Sequence, residues 1–318
     1  MSTGPAAPAR TPAPGALEAF DPAARVPVNK AYKMYVGGAF VRSESGRYFQ
    51  SRAQQAKVEG GADPEVVNLP RGSRKDVRDA VLAARNVGEG WAARTAYNRG
   101  QILYRLAEVM ESRRAELCAS LERAGREAEQ ALREVERAVD RTVYYAGFCD
   151  KYQALLASFN PVAGPYFAFS MPGPMGVVAI LAPERPALLG LVSTVLPVVV
   201  AGNTSVVVAG SEDARTAMVW CECLATSDLP GGVVNVLTGR AGELALHLAA
   251  HREVAAVDAW SDDPALRAEV EREGSGSVKR VRTHGPDETR QMGSDAGQGL
   301  AFIERFLETK SLWHPVGR

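Results

Sequence analysis

The sequence predicts an α/β protein: a Rossmann-like parallel sheet with flanking helices, from which an antiparallel β hairpin and a C-terminal strand project. Three observations carry this expectation. Gly176-Val-Val-Ala-Ile-Leu-Ala182 is a short apolar run with β-branched residues and Pro and Gly on both sides, the pattern of a strand buried on both faces. Leu188 to Val200 is a long apolar helix that Pro197 interrupts late, and Gly202-Asn203 closes it with residue types that tolerate a left-handed C-terminal turn. Thr204 to Val208 repeats the buried-strand pattern. Strand, crossover helix and parallel strand make a right-handed βαβ unit, whose ligands sit beyond the carboxyl ends of the strands. A pocket is therefore expected at Ala182 to Pro186 and Ala209 to Glu212.

Composition narrows the classes. Length (318 residues) and hydrophobic content (46%) allow one large core or two modest ones. Lys+Arg and Asp+Glu balance at 37 each, so charge gives no case for nucleic acid or an acidic membrane surface. Cys118, Cys149, Cys221 and Cys223 are too few and scattered for a secreted disulfide framework, and a reducing cytoplasm is expected. Pro183, Pro186 and Pro197 divide the longest apolar stretch, so no membrane span is expected. The N-terminus has neither a basic region nor an apolar core of a signal peptide.

Along the chain, residues 1–30 form an Ala- and Pro-rich arm with too few large apolar residues for a core, expected to be disordered. Residues 31–150 read as an N-terminal hairpin, Tyr32 to Phe40 turning at Gly37-Gly38, a short strand at Val66 to Leu69, and three packing helices. The first helix opens with the capping-box spacing of Ser73-Arg-Lys-Asp76 and ends near Trp91. The second spans Tyr97 to Leu121 and the third Ala128 to Phe148, their charges read as solvated faces. Residues 151–172 change character, Pro161, Gly164 and Pro165 separating Leu155-Leu156 from aromatic Tyr166 to Phe169. Residues 173–285 form the Rossmann-like core, with a further helix at Arg215 to Ala225 and a strand at Val233 to Leu237. Residues 286–300 read as a polar linker and 301–318 as a terminal strand.

Pro174-Met-Gly-Val-Val-Ala-Ile-Leu181, Ala201-Gly-Asn-Thr204, Ser211-Glu212 and Leu229-Pro-Gly-Gly-Val-Val-Asn-Val-Leu-Thr-Gly239 resemble the nucleotide-binding domain of the aldehyde dehydrogenase superfamily, from about Tyr35 to about Val281. The departures matter as much. The family's turn carrying an oxyanion-holding asparagine falls on Pro183-Glu-Arg-Pro-Ala187, with Arg185 in the asparagine's place. The family's ribose-binding lysine falls on Val208 or Ala209, whereas Glu212, its other ribose contact, is retained. The loop after Gly239 carries Ala241 and Ala245 at two family glycine positions, with Gly242 displaced, which weakens backbone approach to a phosphate. Asp262, in Ala259-Trp260-Ser261-Asp262, caps a helix start but would repel pyrophosphate. The resemblance thus implies a degenerate cofactor site at Ser211, Glu212, Gly239 and Gly242, binding NAD(P) weakly or not at all.

After Lys279-Arg-Val281 the family continues into a catalytic domain with a general-base glutamate and a nucleophilic cysteine. Here Arg282-Thr-His-Gly-Pro286 and a polar stretch lead to Ala301 to Pro315, which looks like the family's C-terminal oligomerisation tail. The resemblance implies that hairpin 151–172 and tail 301–318 mediate subunit contact while the catalytic domain is missing. No catalytic or metal-binding residue is assigned. The four cysteines read as buried fillers, Cys221 and Cys223 pointing to different sides of one helix. His284, at the position of the family base, reads as a surface residue of the linker. His247 and His251 are four apart but lack a further ligand, so a helix-end contact for His251 is the simpler reading.

Two functions remain in play from the sequence. One is a non-catalytic subunit, a pseudoenzyme that forms a hetero-oligomer with a full-length aldehyde dehydrogenase through hairpin and tail. The alternative is an NAD(P)-dependent oxidoreductase acting on aldehydes, its active-site groups completed by a partner. A free-standing nucleotide sensor would leave the tail unexplained.

Overall fold

The computed structural model of the protein describes residues 30–52 and 66–316, so the expected N-terminal arm lies outside the described residues apart from its last position. Met34–Val36 (β1) and Ala39–Val41 (β2) form the expected hairpin, and both glycines of its turn have left-handed backbones, φ 62° at Gly37 and 85° at Gly38. Gly38 also has no room for a side chain, because a Cβ there would lie 2.7 Å from the Cα of Gly231. Tyr48–Arg52 (β3) pairs antiparallel with Val66–Pro70 (β4).

Helix Arg74–Ala92 (α1) starts with the expected capping box: the Ser73 hydroxyl accepts from the Asp76 amide, and the Asp76 carboxylate accepts from the Ser73 amide. Its terminal Trp91 is buried, with the indole N–H donating to the Val199 carbonyl at 3.0 Å. The helix expected from Tyr97 to Leu121 is two helices, Ala96–Ser112 (α2) and Arg114–Arg123 (α3). Arg113 leaves helical geometry between them and pairs with both Glu116 and Glu222, and the change of direction lets Leu117 and Leu121 reach the core. Ala128–Ala146 (α4) and the short Tyr152–Leu156 (α5) follow.

Not all charges on these helices are solvated. Arg99, Glu134 and Arg141 are buried. The Glu134 carboxylate accepts from the amides of Leu188 and Leu189 at 2.9 and 3.3 Å, capping the apolar helix Ala187–Val200 (α6), which has no side-chain cap of its own. Helical spacing alone does not distinguish such a residue from its solvated neighbours.

Ser158–Asn160 (β5) and Tyr166–Pro174 (β6) form the expected hairpin. Beyond it come Val177–Leu181 (β7), Thr204–Val208 (β8), Ala214–Thr226 (α7), Val234–Leu237 (β9), Ala241–Ala249 (α8), Val254–Trp260 (β10), Pro264–Gly274 (α9) and Arg280–His284 (β11). Among the described residues these strands build one sheet in the order β11-β10-β7-β8-β9-β1-β2, parallel from β11 to β9 and finished by the antiparallel hairpin. Every residue of β7 and β8 is buried, because helices cover both faces.

The stretch read as a linker is structured. Pro286–Gln291 (α10), a 3-10 turn at Asp295–Gly297 and Leu300–Glu304 (α11) carry the chain to Leu307–Pro315 (β12). The buried Arg141 guanidinium holds this segment, donating to the carbonyls of Met292 and Ser294 at 2.8 Å and to Ser193 Oγ at 2.5 Å. β12 pairs antiparallel with β6 over its whole length, giving a three-stranded sheet β12-β6-β5. Among the described residues no helix is long and apolar enough to cross a membrane.

Candidate functional site

The parallel strands end at a cleft of about 480 Å³, where the βαβ reading expects a pocket. Pro183, Glu184 and Arg185 after β7, Gly210 and Glu212 after β8, and Asp262 after β10 line it. The β-strands fix these loops in register, since Ala182 donates to Val208 and Ala209 to Leu237 just before the chains diverge.

Two interactions between the loops define the cleft's chemistry. The Glu184 carboxylate accepts from the Ser211 amide (3.0 Å), the Ser211 hydroxyl (3.0 Å) and the Glu212 amide (2.9 Å). Arg185, the residue standing at the family's oxyanion position, donates from Nε to Glu212 Oε2 at 3.1 Å. Of the four expected cofactor residues, Glu212 lines the cleft and Ser211 adjoins it, whereas Gly239 and Gly242 lie outside the lining and Ala241 faces it instead. Gly239, at φ 153°, serves the backbone: a Cβ there would sit 2.9 Å from Leu244 and 3.1 Å from the Gly72 amide. Asp262 is exposed at the cleft, but Asp263 caps α9, accepting from the Ala265 amide at 2.9 Å. The helix-capping role expected of Asp262 thus belongs to its neighbour.

Val208 and Ala209, the two candidates for the family lysine position, are both fully buried apolar residues. No cation reaches the ribose side of Glu212 from there. Arg185 comes from the opposite loop and engages the Glu212 carboxylate. Asp213 caps α7 by accepting from the Thr216 amide at 3.3 Å, and burial raises its pKa to about 7.

His284 is the largest departure from the sequence reading. It is not a surface linker residue but a buried one, ending β11 at 4% exposure. Nε2 lies 2.9 Å from Asp258 Oδ1 and Nδ1 lies 3.0 Å from Glu288 Oε1. Its ring stacks on Trp260 with centroids 3.8 Å apart, and the Trp260 indole donates to the other Asp258 oxygen at 2.7 Å. Burial opposes the charged imidazole, but the two carboxylates outweigh it and raise the histidine above its ordinary value. The position that carries a base in the resemblance thus holds a buried structural bridge between Asp258 and Glu288.

Burial pushes the Cys149 and Cys223 thiols up to about 12 and raises Cys221 and Cys118 as well. All four are free cysteines, and the first three are buried, as fillers should be. None is poised as a thiolate. Among the described residues no group of three or more His, Cys, Asp or Glu could hold a metal ion. Asn203, read in the sequence as a helix terminator and as part of the Ala201–Thr204 family motif, accepts from the amides of Met175 and Gly176 at 2.7 and 2.9 Å and donates to the Phe306 carbonyl at 2.8 Å.

Comparison with known proteins agrees with this geometry. The aldehyde dehydrogenase family pattern matches residues 49–282. Hydroxyisobutyraldehyde dehydrogenase of Mycolicibacterium austroafricanum is 33% identical over 224 residues, 70% of this chain and 42% of that protein. Alpha-ketoglutaric semialdehyde dehydrogenase of Bacillus subtilis is 32% identical over 230 residues, 71% of this chain and 45% of that one. The chain thus spans less than half the length of either relative. The crystal structure of an NAD-dependent aldehyde dehydrogenase from Sinorhizobium meliloti superposes with a TM-score of 0.73 at 25% identity, covering 80% of this chain and 50% of that one. Sequence pattern, relatives a third identical and the superposable sheet all converge, and the chain belongs to the aldehyde dehydrogenase family.

Proposed function

We propose that this chain is a non-catalytic aldehyde dehydrogenase-like subunit that assembles with a full-length aldehyde dehydrogenase through the hairpin and the tail. The observation that carries the reading is the apolar face of the three-stranded sheet. The registers Leu312↔Phe169, Lys310↔Met171 and Phe159↔Phe169 set Phe159, Phe167, Phe169, Met171 and Leu312 on one face, with Glu308, Lys310 and His314 of the tail strand beside them. Phe159, Phe167 and Leu312 are 63, 48 and 47% exposed, an arrangement that a solitary chain would not favour. β12 is also an edge strand, and its outer main-chain groups offer a partner strand the pairing that gives β-augmentation its affinity.

The cleft supports the non-catalytic half of the proposal. Its residues do not fit NAD(P) well: Glu212 is engaged by Arg185, the lysine is replaced by buried apolar residues, and Asp262 faces the side where phosphates would come. This favours weak or absent NAD(P) binding, and burial raises all four thiols, which leaves no cysteine poised as a thiolate nucleophile among the described residues. Four free cysteines accord with a reducing cytoplasm.

An aldehyde oxidoreductase whose site is completed by a partner is the second reading. It draws on family membership, on relatives named as aldehyde dehydrogenases and on the retained Glu212.

The test is purification of the tagged chain from its native cell, intact, truncated after Leu300, and with Phe167→Ser/Leu312→Ser, which alters only exposed positions. A full-length aldehyde dehydrogenase should accompany the intact chain and be lost from both variants. An intact chain that recovers only itself as a stable homo-oligomer would refute the proposal.

A further inference from the structure

We infer that Glu184 is a built-in occupant of the cleft, holding in cis the donors that an anionic group of a ligand would otherwise take. The inference rests on the reading of this cleft as a weakened cofactor site, and it names the device that weakens it. Two successive backbone amides and a hydroxyl, from Ser211 and Glu212, converge on one carboxylate at 2.9 to 3.0 Å. Such a convergence of N–H groups is a receptor for oxyanions, and here it is filled by the chain's own side chain.

The fit is close. A Cβ on Gly210 would lie 2.9 Å from Glu184 Oε2 and 3.1 Å from Glu184 Cα, so the loop after β8 accepts Glu184 only because residue 210 has no side chain. Arg185 completes the seal by turning to Glu212. The two contacts differ in weight. The Arg185–Glu212 pair is exposed, with half of the arginine side chain in solvent, and such pairs contribute little. Glu184 is half-buried and makes three charge-assisted hydrogen bonds, so it is the stronger element.

A ligand must displace Glu184 before its own anionic group can reach these donors. Its apparent affinity is then lowered by the fraction of molecules in which Glu184 has let go. The carboxylate charge also remains in the cleft to repel phosphate after release. The ligand class is a nucleotide or dinucleotide, whose ribose would meet Glu212 once Arg185 is drawn away.

The experiment is calorimetric titration of the full chain with NAD and with AMP, in the unsubstituted protein and in Glu184→Ala, Glu184→Gln and Arg185→Ala. Glu184→Ala should bind at least one of the two roughly tenfold more tightly than the parent, with a smaller gain in Arg185→Ala, as expected when occupancy sets the loss. Glu184→Gln keeps the side chain's shape and guards against a misfolded alanine variant; it should gain affinity in the same direction. Unchanged binding of both nucleotides in folded Glu184→Ala and Glu184→Gln would overturn the inference. Tight NAD binding by the unsubstituted chain would instead count against the weakened-site reading, and the ratio between variant and parent would still decide the role of Glu184.

Discussion

Asn203 and Phe306, 103 residues apart, are joined by a 2.8 Å hydrogen bond from the asparagine amide to the phenylalanine carbonyl. The same asparagine oxygen receives the amides of Met175 and Gly176, where β6 passes into β7. One buried side chain therefore ties the start of the tail strand to the junction of hairpin and core.

Replacing Asn203 with alanine leaves a buried carbonyl and two part-buried amides without their partner. A buried group left unsatisfied costs about 1–3 kcal/mol, and water can reach the part-buried amides, so a loss of about 1–3 kcal/mol is expected. Chemical denaturation should register it. Hydrogen exchange at the amides of residues 307–314 should speed up in the variant, and equal exchange rates would show that Asn203 does not hold the tail.

Stability should fall as pH rises past neutrality. His284 is raised in the folded chain, so its contribution is fully present below the unfolded value and is lost as pH climbs through the folded one. The groups facing it are Asp258 from β10 and Glu288 from α10, with Arg305 acting on Glu288 from the end of α11. Asp213 works in the same direction at lower pH, because its carboxyl is raised to about 7 and loses its favoured neutral form between the usual carboxylate range and that value. The thermal midpoint should be lower at pH 8.5 than at pH 6.5, and His284→Gln should flatten this slope. A midpoint indifferent to pH over this window in the parent chain would contradict the bridge.

The purified chain should form no NAD(P)H from simple aldehydes, and its thiols should be slow. Cys149, Cys221 and Cys223 are buried and protonated, so alkylation at pH 8 should begin at the half-buried Cys118 and reach the others only on unfolding. Rapid stoichiometric labelling of a buried cysteine, or NADH production free of contaminating enzyme, would revive the oxidoreductase reading.

Much of this architecture is legible in the sequence because it rests on local patterns. The apolar runs of β7 and β8, the Gly37-Gly38 turn, the Ser73–Asp76 capping box and the Pro- and Gly-bounded hairpin all depend on residues within a few positions of each other. The choice of polar partners was not legible. Glu134 caps a helix 54 residues away, Arg141 holds carbonyls more than 150 residues on, and Glu184 reaches 27 residues to the next loop. Nothing in helical period or turn composition marks these residues off from solvated ones. Their partners are chosen only when packing excludes water and leaves each buried charge the donors or acceptors that happen to stand opposite. For the same reason His284 reads as a linker residue in the chain and as a buried bridge in the fold: its two carboxylates come from β10 and α10, and only the parallel pairing of β11 with β10 sets it against Asp258.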